Sequence, residues 1–325
     1  MSTVCYPPER MPKSKRRLFV KTALAERVPL DGKKVIVTGA SPGSLGFETA
    51  RLLASWGASI VFTTRKNPDA TTTALLQGTN GYSPKVSGHA LDLCDSDSVG
   101  RFVQWYLDTE GDELDALVNN AGVHLDLMSQ WKEPHLSDDG FEIHWRTNYL
   151  GTMHLTHLLL PALKRAAERT GEARIVNVVS KLHFKGSNSA LFGGPEPYDS
   201  WKAYGGSKLA LIHATFEAQR RFANEHGIQS YCLHPGAVST NVATKGLEGT
   251  WAGRARNALL SVEGVFLKSP EEGAQTQIYC ATAPGLSGGI YYEECAPAEV
   301  SQESNDSKVA HRLWDETEAW VSSLR

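Results

Sequence analysis

From Lys33 onward, short β-branched runs alternate with longer helix-compatible stretches. This alternation constrains the fold more than any other feature, because strands joined through helices lie parallel and a parallel sheet must be covered on both faces. Val35 to Thr38, Ile60 to Thr64, Val86 to Leu91, Leu114 to Asn119, Ile175 to Ser180 and Ile228 to His234 read as buried strands. A seventh strand is expected near Ile290 to Tyr292, after a helix-like stretch from Pro270 to Ala283 whose Pro270 and Glu271 suit a first turn. A length of 325 residues would allow two domains, yet no linker separates two cores. The expected architecture is one doubly wound α/β domain over residues 31–325, with a parallel sheet of about seven strands flanked by helices, behind a basic N-terminal arm of residues 1–30. Two long connections, Lys181 to Asp199 and Val238 to Lys268, follow the C-terminal ends of strands, where ligands bind in open α/β sheets.

Charge narrows the partners. Lys+Arg 33 against Asp+Glu 36 gives a net charge of −3, which provides no field to gather nucleic acid. Five cysteines, Cys5, Cys94, Cys232, Cys280 and Cys295, are widely spaced and form no CxxC pair, arguing against a disulfide framework or a zinc cluster and for a reducing, cytoplasmic setting. His154 and His157 share a helical face but lack a third ligand, so no metal is expected. No apolar run approaches the roughly 18 residues that cross a bilayer. Lys13, Lys15, Arg16, Arg17 and Lys21 cluster around Leu18, Phe19 and Val20; this reads as a solvated arm or short helix, with a weak membrane-surface contact as the alternative.

The segment VIVTGASPGSLGFETARLLASWG runs strand, glycine turn, amphipathic helix, with Gly39, Gly43 and Gly46 in the turn. Such a turn lets the backbone approach a pyrophosphate, whose charge meets the unpaired N–H groups of the helix N-terminus. In this context the glycines mark a dinucleotide site on a Rossmann-type fold. An acidic side chain ending the second strand would accept the 2′-hydroxyl of NAD. Here that strand ends Thr63, Thr64, Arg65, Lys66. Two cations and no carboxylate favour a 2′-phosphate, so NADP(H) is expected over NAD(H), with Arg65 as a contact; the same pair could instead be a solvated strand end.

Tyr204 and Lys208 lie four residues apart in WKAYGGSKLALIHATF, on one face of an expected helix. An ammonium about 4 Å from a phenol, at an effective dielectric near 20, attracts the phenolate by about 4 kcal/mol. That would lower a pKa of about 10 by up to roughly three units before desolvation opposes it. A phenol so tuned can serve as general acid or base.

The pair does not stand alone. The TGASPGSLG turn, Asp92 in LDL, the NNAG run Asn119 to Gly122, Asn148 in RTNYLGT, Ser180 in RIVNVVS, YGGSK and HPGAVST follow in order. On these motifs the chain resembles the short-chain dehydrogenase/reductases from Lys33 to Asn241. It looks most like the branch of retinol dehydrogenases and related reductases, which has counterparts of RIVNV, SPEEGAQTQIYCATAP, SGGIYYEEC and HRLWDETEAWV. The resemblance implies a catalytic tetrad of Asn148, Ser180, Tyr204 and Lys208. Tyr204 would exchange a proton with the substrate oxygen while the nicotinamide carries hydride, and Ser180 would hydrogen-bond that oxygen. Lys208 would tune Tyr204 and hold the nicotinamide ribose, and Asn148, on a helix, would hold a water linking Lys208 to solvent.

The same resemblance brings Ser41 and Leu45 of the turn, Ala121, and Pro235, Gly236 and Val238 to the cofactor. Asp92 would meet the adenine, Asn119 and Gly122 the adenosine side, and Thr240 the carboxamide; Asp92 could equally start a helix. Family members are commonly dimers or tetramers, which implies a homodimer or homotetramer. Two departures stand out. Ser44 and Leu45 separate Gly43 from Gly46 where the family has one residue, and Pro42 removes a donor, so the turn should bulge. Val179 replaces a serine frequent in this branch and suits a buried strand.

Trp131, Trp145, Phe184, Phe192, Tyr198, Trp201, Trp251 and Phe266 gather near the long connections. They suit a lipophilic or aromatic small molecule, or simply pack the loops. The expected activity is NADP(H)-dependent interconversion of a carbonyl and an alcohol on such a substrate. A carbon–carbon double-bond reductase on the same fold and a catalytically idle NADPH-binding protein are the alternatives.

Overall fold

A central strand such as Ala173–Val178, buried at every residue, cannot lie at a surface. In the computed structural model, which describes residues 22–77, 85–193, 197–238 and 268–324, such strands stack side by side under helices. They are β1 (Lys34–Val37), β2 (Ser59–Thr64), β3 (Val86–Ala90), β4 (Ala116–Asn119), β5 (Ala173–Val178), β6 (Ile228–His234), β7 (Ile290–Glu293) and β8 (Ala296–Pro297). The sheet order is β3-β2-β1-β4-β5-β6-β7-β8, parallel through β7. The order reverses between β1 and β4, which opens a crevice at their C-terminal ends.

All seven expected strands are present, and an antiparallel eighth is added. Nothing in the sequence announces β8. It has two exposed residues, one a proline, and it follows a two-residue turn in which Glu294 and Cys295 are both left-handed (φ 52° and 57°) without glycine or asparagine.

Helices α1 (Leu45–Ser55), α2 (Pro68–Gln77), α3 (Ser96–Thr109), α4 (Gly151–Thr170), α5 (Ser200–His226), α6 (Pro270–Thr282) and α7 (Ser307–Ser323) cover the sheet. Successive β1 residues serve opposite cores: Val35 and Val37 pack with α1 and α6, whereas Ile36 packs with α3 and α4. Residues before the sheet join the first layer, where Leu30 is buried and the Ala25 N–H donates to Gln275 Oε1 at 3.1 Å. The basic residues of the expected arm, Lys13 to Lys21, lie outside the described residues, as do Thr240, Trp251 and Phe266.

Local chemistry starts the helices where the site needs them. Ser44 caps α1 by accepting from Phe47 N, Asp199 caps α5 by accepting from Trp201 and Lys202 N, and Ser269 with Glu272 forms a capping box on α6. The helix expected around Asn148 begins as a π-helical turn, Trp145–Leu150, before α4. Arg146 in that turn is fully buried, donating to Asp139, the Leu93 carbonyl and Ser96 Oγ. It clamps the turn to the loop after β3. Among the described residues no helix is long and apolar enough to cross a membrane.

Candidate active site

A cavity of about 690 Å³ fills the crevice at the sheet's reversal point. Its walls are the glycine turn (Gly39, Ser41, Ser44, Leu45), the end of β2 (Thr63 to Lys66), the end of β3 (Leu91 to Leu93), the segment after β4 (Asn120 to Val123, and Leu125) and Thr147. Gly39 (φ 71°) and Gly43 (φ 76°) take the left-handed conformations that the turn requires. Gly46 is needed for a different reason, close approach. A Cβ there would lie 2.5 Å from Asn120 Nδ2 and 2.7 Å from Gly39 O, so the third glycine lets α1 come up against the β4 end. The expected bulge resolves at Ser44, which caps α1 and donates to Gly39 O at 3.2 Å. Gly43 and Gly46 therefore shape the turn without being among the residues lining the cavity.

Arg65 and Lys66 are exposed at the cavity's edge, and Asp92 lines it while accepting from Cys94 N at 2.9 Å. A cavity with a glycine turn and a helix N-terminus on one side and two cations at the second strand's end fits a dinucleotide.

Asn119 requires a correction. It is buried, and its amide donates to Thr156 Oγ1 at 3.1 Å and Asn177 Oδ1 at 2.9 Å, within the layer between β4, β5 and α4. Its neighbour Asn120 reaches the cavity instead, with Ala121 and Gly122. Pro235, Gly236 and Val238 are not among the cavity-lining residues. Val238 bridges to Lys268, whose side chain crosses Gly236 and pairs with Glu294.

The Asn120 amide is itself held by a chain that the sequence did not reveal. Its Nδ2 donates to Thr38 O at 2.7 Å and Gly39 O at 3.3 Å, so its Oδ1 must accept, and Gln277 Nε2 donates there at 3.2 Å. Gln277 Oε1 then accepts from Thr49 Oγ1 at 3.0 Å. Gln277 lies fully buried on α6, within the SPEEGAQTQIYCATAP segment but with no site role attached to it by the sequence. Gln277→Met should keep the packing but leave Asn120 Oδ1 unpaired, at about 1–3 kcal/mol. The expected result is a roughly tenfold rise in Kd for NADPH by fluorescence titration, with turnover at saturating cofactor nearly unchanged.

The four expected catalytic residues converge from three elements. Ser180 follows β5, Tyr204 and Lys208 lie on α5, and Asn148 comes from the π-turn. The Ser180 side chain hydrogen-bonds the Tyr204 hydroxyl. Lys208 Nζ donates to Val178 O at 3.1 Å and lies 5.7 Å from the Tyr204 ring centre. A Cβ on Gly122 would sit 3.1 Å from Lys208 Nζ and 3.3 Å from Asn148 Oδ1, so only glycine leaves these groups their room.

Asn148 Oδ1 accepts from Val123 N at 2.7 Å, while its Nδ2 donates to Val123 O at 2.9 Å and Ser207 Oγ at 3.1 Å. Its visible role is to tie the β4 segment to α5. Electrostatics differ in sign from the sequence expectation. Burial pushes the Tyr204 hydroxyl up to about 12, only partly offset by Ser180, and pushes Lys208 down to about 8. Desolvation outweighs the phenol–ammonium attraction, so Tyr204 is held as the neutral acid.

Comparison with known proteins places the chain by sequence and by fold. Residues 33–250 match the family described as short chain dehydrogenase. Human retinol dehydrogenase 11 is 35% identical over 303 residues, covering 92% of this chain and 89% of that protein. Human retinol dehydrogenase 14 is 35% identical over 320 residues, covering 91% and 88%. A crystal structure of an uncharacterized protein from Mycobacterium paratuberculosis superposes with a TM-score of 0.67 at 29% identity, covering 92% of this chain and 96% of that one. L-sorbose reductase from Gluconobacter frateurii, solved with NADPH and L-sorbose, shares the fold with a TM-score of 0.63 at 22% identity, covering 82% and 96%.

Proposed function

Since the chain belongs to the short-chain dehydrogenase family of oxidoreductases, we propose that it uses NADP(H), in preference to NAD(H), to interconvert a carbonyl and an alcohol on a small to medium lipophilic or aromatic molecule. The observation that carries this reading is the Ser180–Tyr204–Lys208 group, with Lys208 buried, beside a crevice suited to a dinucleotide. The bound nicotinamide supplies or takes the hydride.

The chain's own residues handle the proton and the oxygen. Tyr204, kept protonated by burial, donates its phenolic proton to the oxygen of a carbonyl undergoing reduction. Ser180, on the same hydroxyl, supplies a second hydrogen bond where negative charge develops. Lys208 remains mostly charged near neutral pH, able to stabilise the phenolate left behind and to hold ribose hydroxyls. Asn148 holds the segment at Val123 and thus one wall of the site.

Arg65 and Lys66 are the basis for the cofactor preference. The relatives named retinol dehydrogenases suggest a lipophilic alcohol or its carbonyl as substrate. The test is loss of NADPH absorbance with a panel of aldehydes and ketones. Catalytic efficiency should favour NADPH over NADH severalfold, and Arg65→Ala should shrink that ratio by about tenfold, the worth of one charge-assisted contact. Equal use of both cofactors by the parent protein would defeat the preference, and no turnover of any carbonyl with NADPH bound would defeat the activity.

A further inference from the structure

One titratable ring in contact with Tyr204 has no part in the reaction described. His124 follows the NNAG run and is 4% exposed. Its ring stacks on the Tyr204 ring with centres 4.5 Å apart and planes 12° apart. Two edges close around it, Trp201 at 4.7 Å and 87° and His144 at 5.6 Å and 76°.

The backbone on either side is fixed. Val123 is held through both its N–H and its C=O by Asn148. Leu125 N donates to His144 Nε2 at 3.0 Å. That bond makes Nε2 an acceptor, so His144 Nδ1 carries the proton and donates to Glu142 Oε1 at 2.7 Å. Residue 124 therefore has little freedom to swing away from the phenol.

We infer that His124 is a positioning residue for Tyr204: its ring, held between the anchors at 123 and 125, fixes the plane of the phenol so that the hydroxyl stays on Ser180. The interaction is the stack and not a hydrogen bond. His124 Nε2 is buried and has no hydrogen-bond partner among the described residues. Burial, then the neighbouring His144, push the imidazole down to about 4 against the opposing pull of Asp126, Asp199 and Glu142, so the ring is uncharged at neutral pH. Offset stacking of aromatic rings resists rotation of either ring, whereas an aliphatic side chain of similar size leaves the phenol free to tilt.

This inference rests on Tyr204 being the proton-transferring group, so the experiment begins with Tyr204→Phe, whose near-complete loss of turnover establishes that reading separately. His124→Leu and His124→Phe are then compared for kcat, NADPH Kd and thermal midpoint. Leucine should lower kcat about tenfold, equivalent to about 1.4 kcal/mol, with NADPH Kd within about twofold of the parent. Phenylalanine, which keeps the stack and removes the unpaired nitrogen, should restore kcat to within about threefold and leave the thermal midpoint at least as high. Parental kcat in the leucine variant would overturn the inference. So would a phenylalanine variant as impaired as leucine, since the nitrogens and not the ring plane would then matter.

Discussion

Tyr204→Phe should lower kcat for carbonyl reduction about 10³-fold while leaving the Kd for NADPH within about twofold. The substitution removes one oxygen and keeps the ring, so the stack with His124 and the packing of α5 persist. What disappears is the proton donor and its hydrogen bond with Ser180. General acid catalysis is worth about 10²–10⁴-fold, and the middle of that range corresponds to about 4 kcal/mol of transition-state stabilisation. Binding of the dinucleotide should be spared because the cavity walls at the glycine turn and β2 do not include Tyr204. A variant that retained more than about a tenth of the parental kcat would show that another group delivers the proton. Parallel losses in kcat and NADPH affinity would show instead that the hydroxyl holds the cofactor site together.

Why this residue could be found from sequence, while others could not, follows from the range of the interactions involved. Tyr204 and Lys208 are neighbours through helical geometry, which depends only on their spacing. The strands are equally local, since each is an apolar β-branched run. Their ends move by a residue or two because pairing partners set them: β5 starts at Ala173 opposite Ile228 and stops before Ser180, whose hydroxyl turns to accept from Leu182 N.

Asn119 and Asn120 show what a local reading misses. The two are adjacent and chemically identical, and a strand sends alternate side chains to opposite faces. Which one meets the cavity is decided by Thr156 and Asn177, which claim Asn119. Gln277 and Arg146 sit inside recognisable segments, yet each acquires its role from partners on other elements. The sign of the Tyr204 shift belongs to the same class. The Coulomb attraction could be drawn from the spacing, but the larger desolvation depends on everything packed around α5.

Lys208→Met should make the protein inactive and more stable at once. Lys208 is 3% exposed, and burial lowers its pKa from 10.5 to about 8, so between those values the folded chain binds fewer protons than the unfolded one. The contribution of Lys208 to stability therefore rises as pH climbs from 8 toward 10.5, and below pH 8 the buried ammonium carries its full cost, about 3 kcal/mol. Methionine removes that cost, fills a similar volume and loses the bond to Val178 O, worth about 1 kcal/mol.

The net expectation at pH 7 is about 2 kcal/mol of added stability in urea unfolding, together with a loss of turnover of at least about 10²-fold and weaker NADPH binding. The pH series gives the sharper check. The stability advantage of the methionine variant over the parent should shrink between pH 8 and pH 10, because only the parent carries the titrating ammonium, whereas the buried thiols and phenols with raised pKa values act alike in both. A variant less stable than the parent at pH 7, with the parental pH slope intact, would mean that the ammonium is stabilised in the fold by more than the Val178 carbonyl, and that its charge is not held against burial for catalysis.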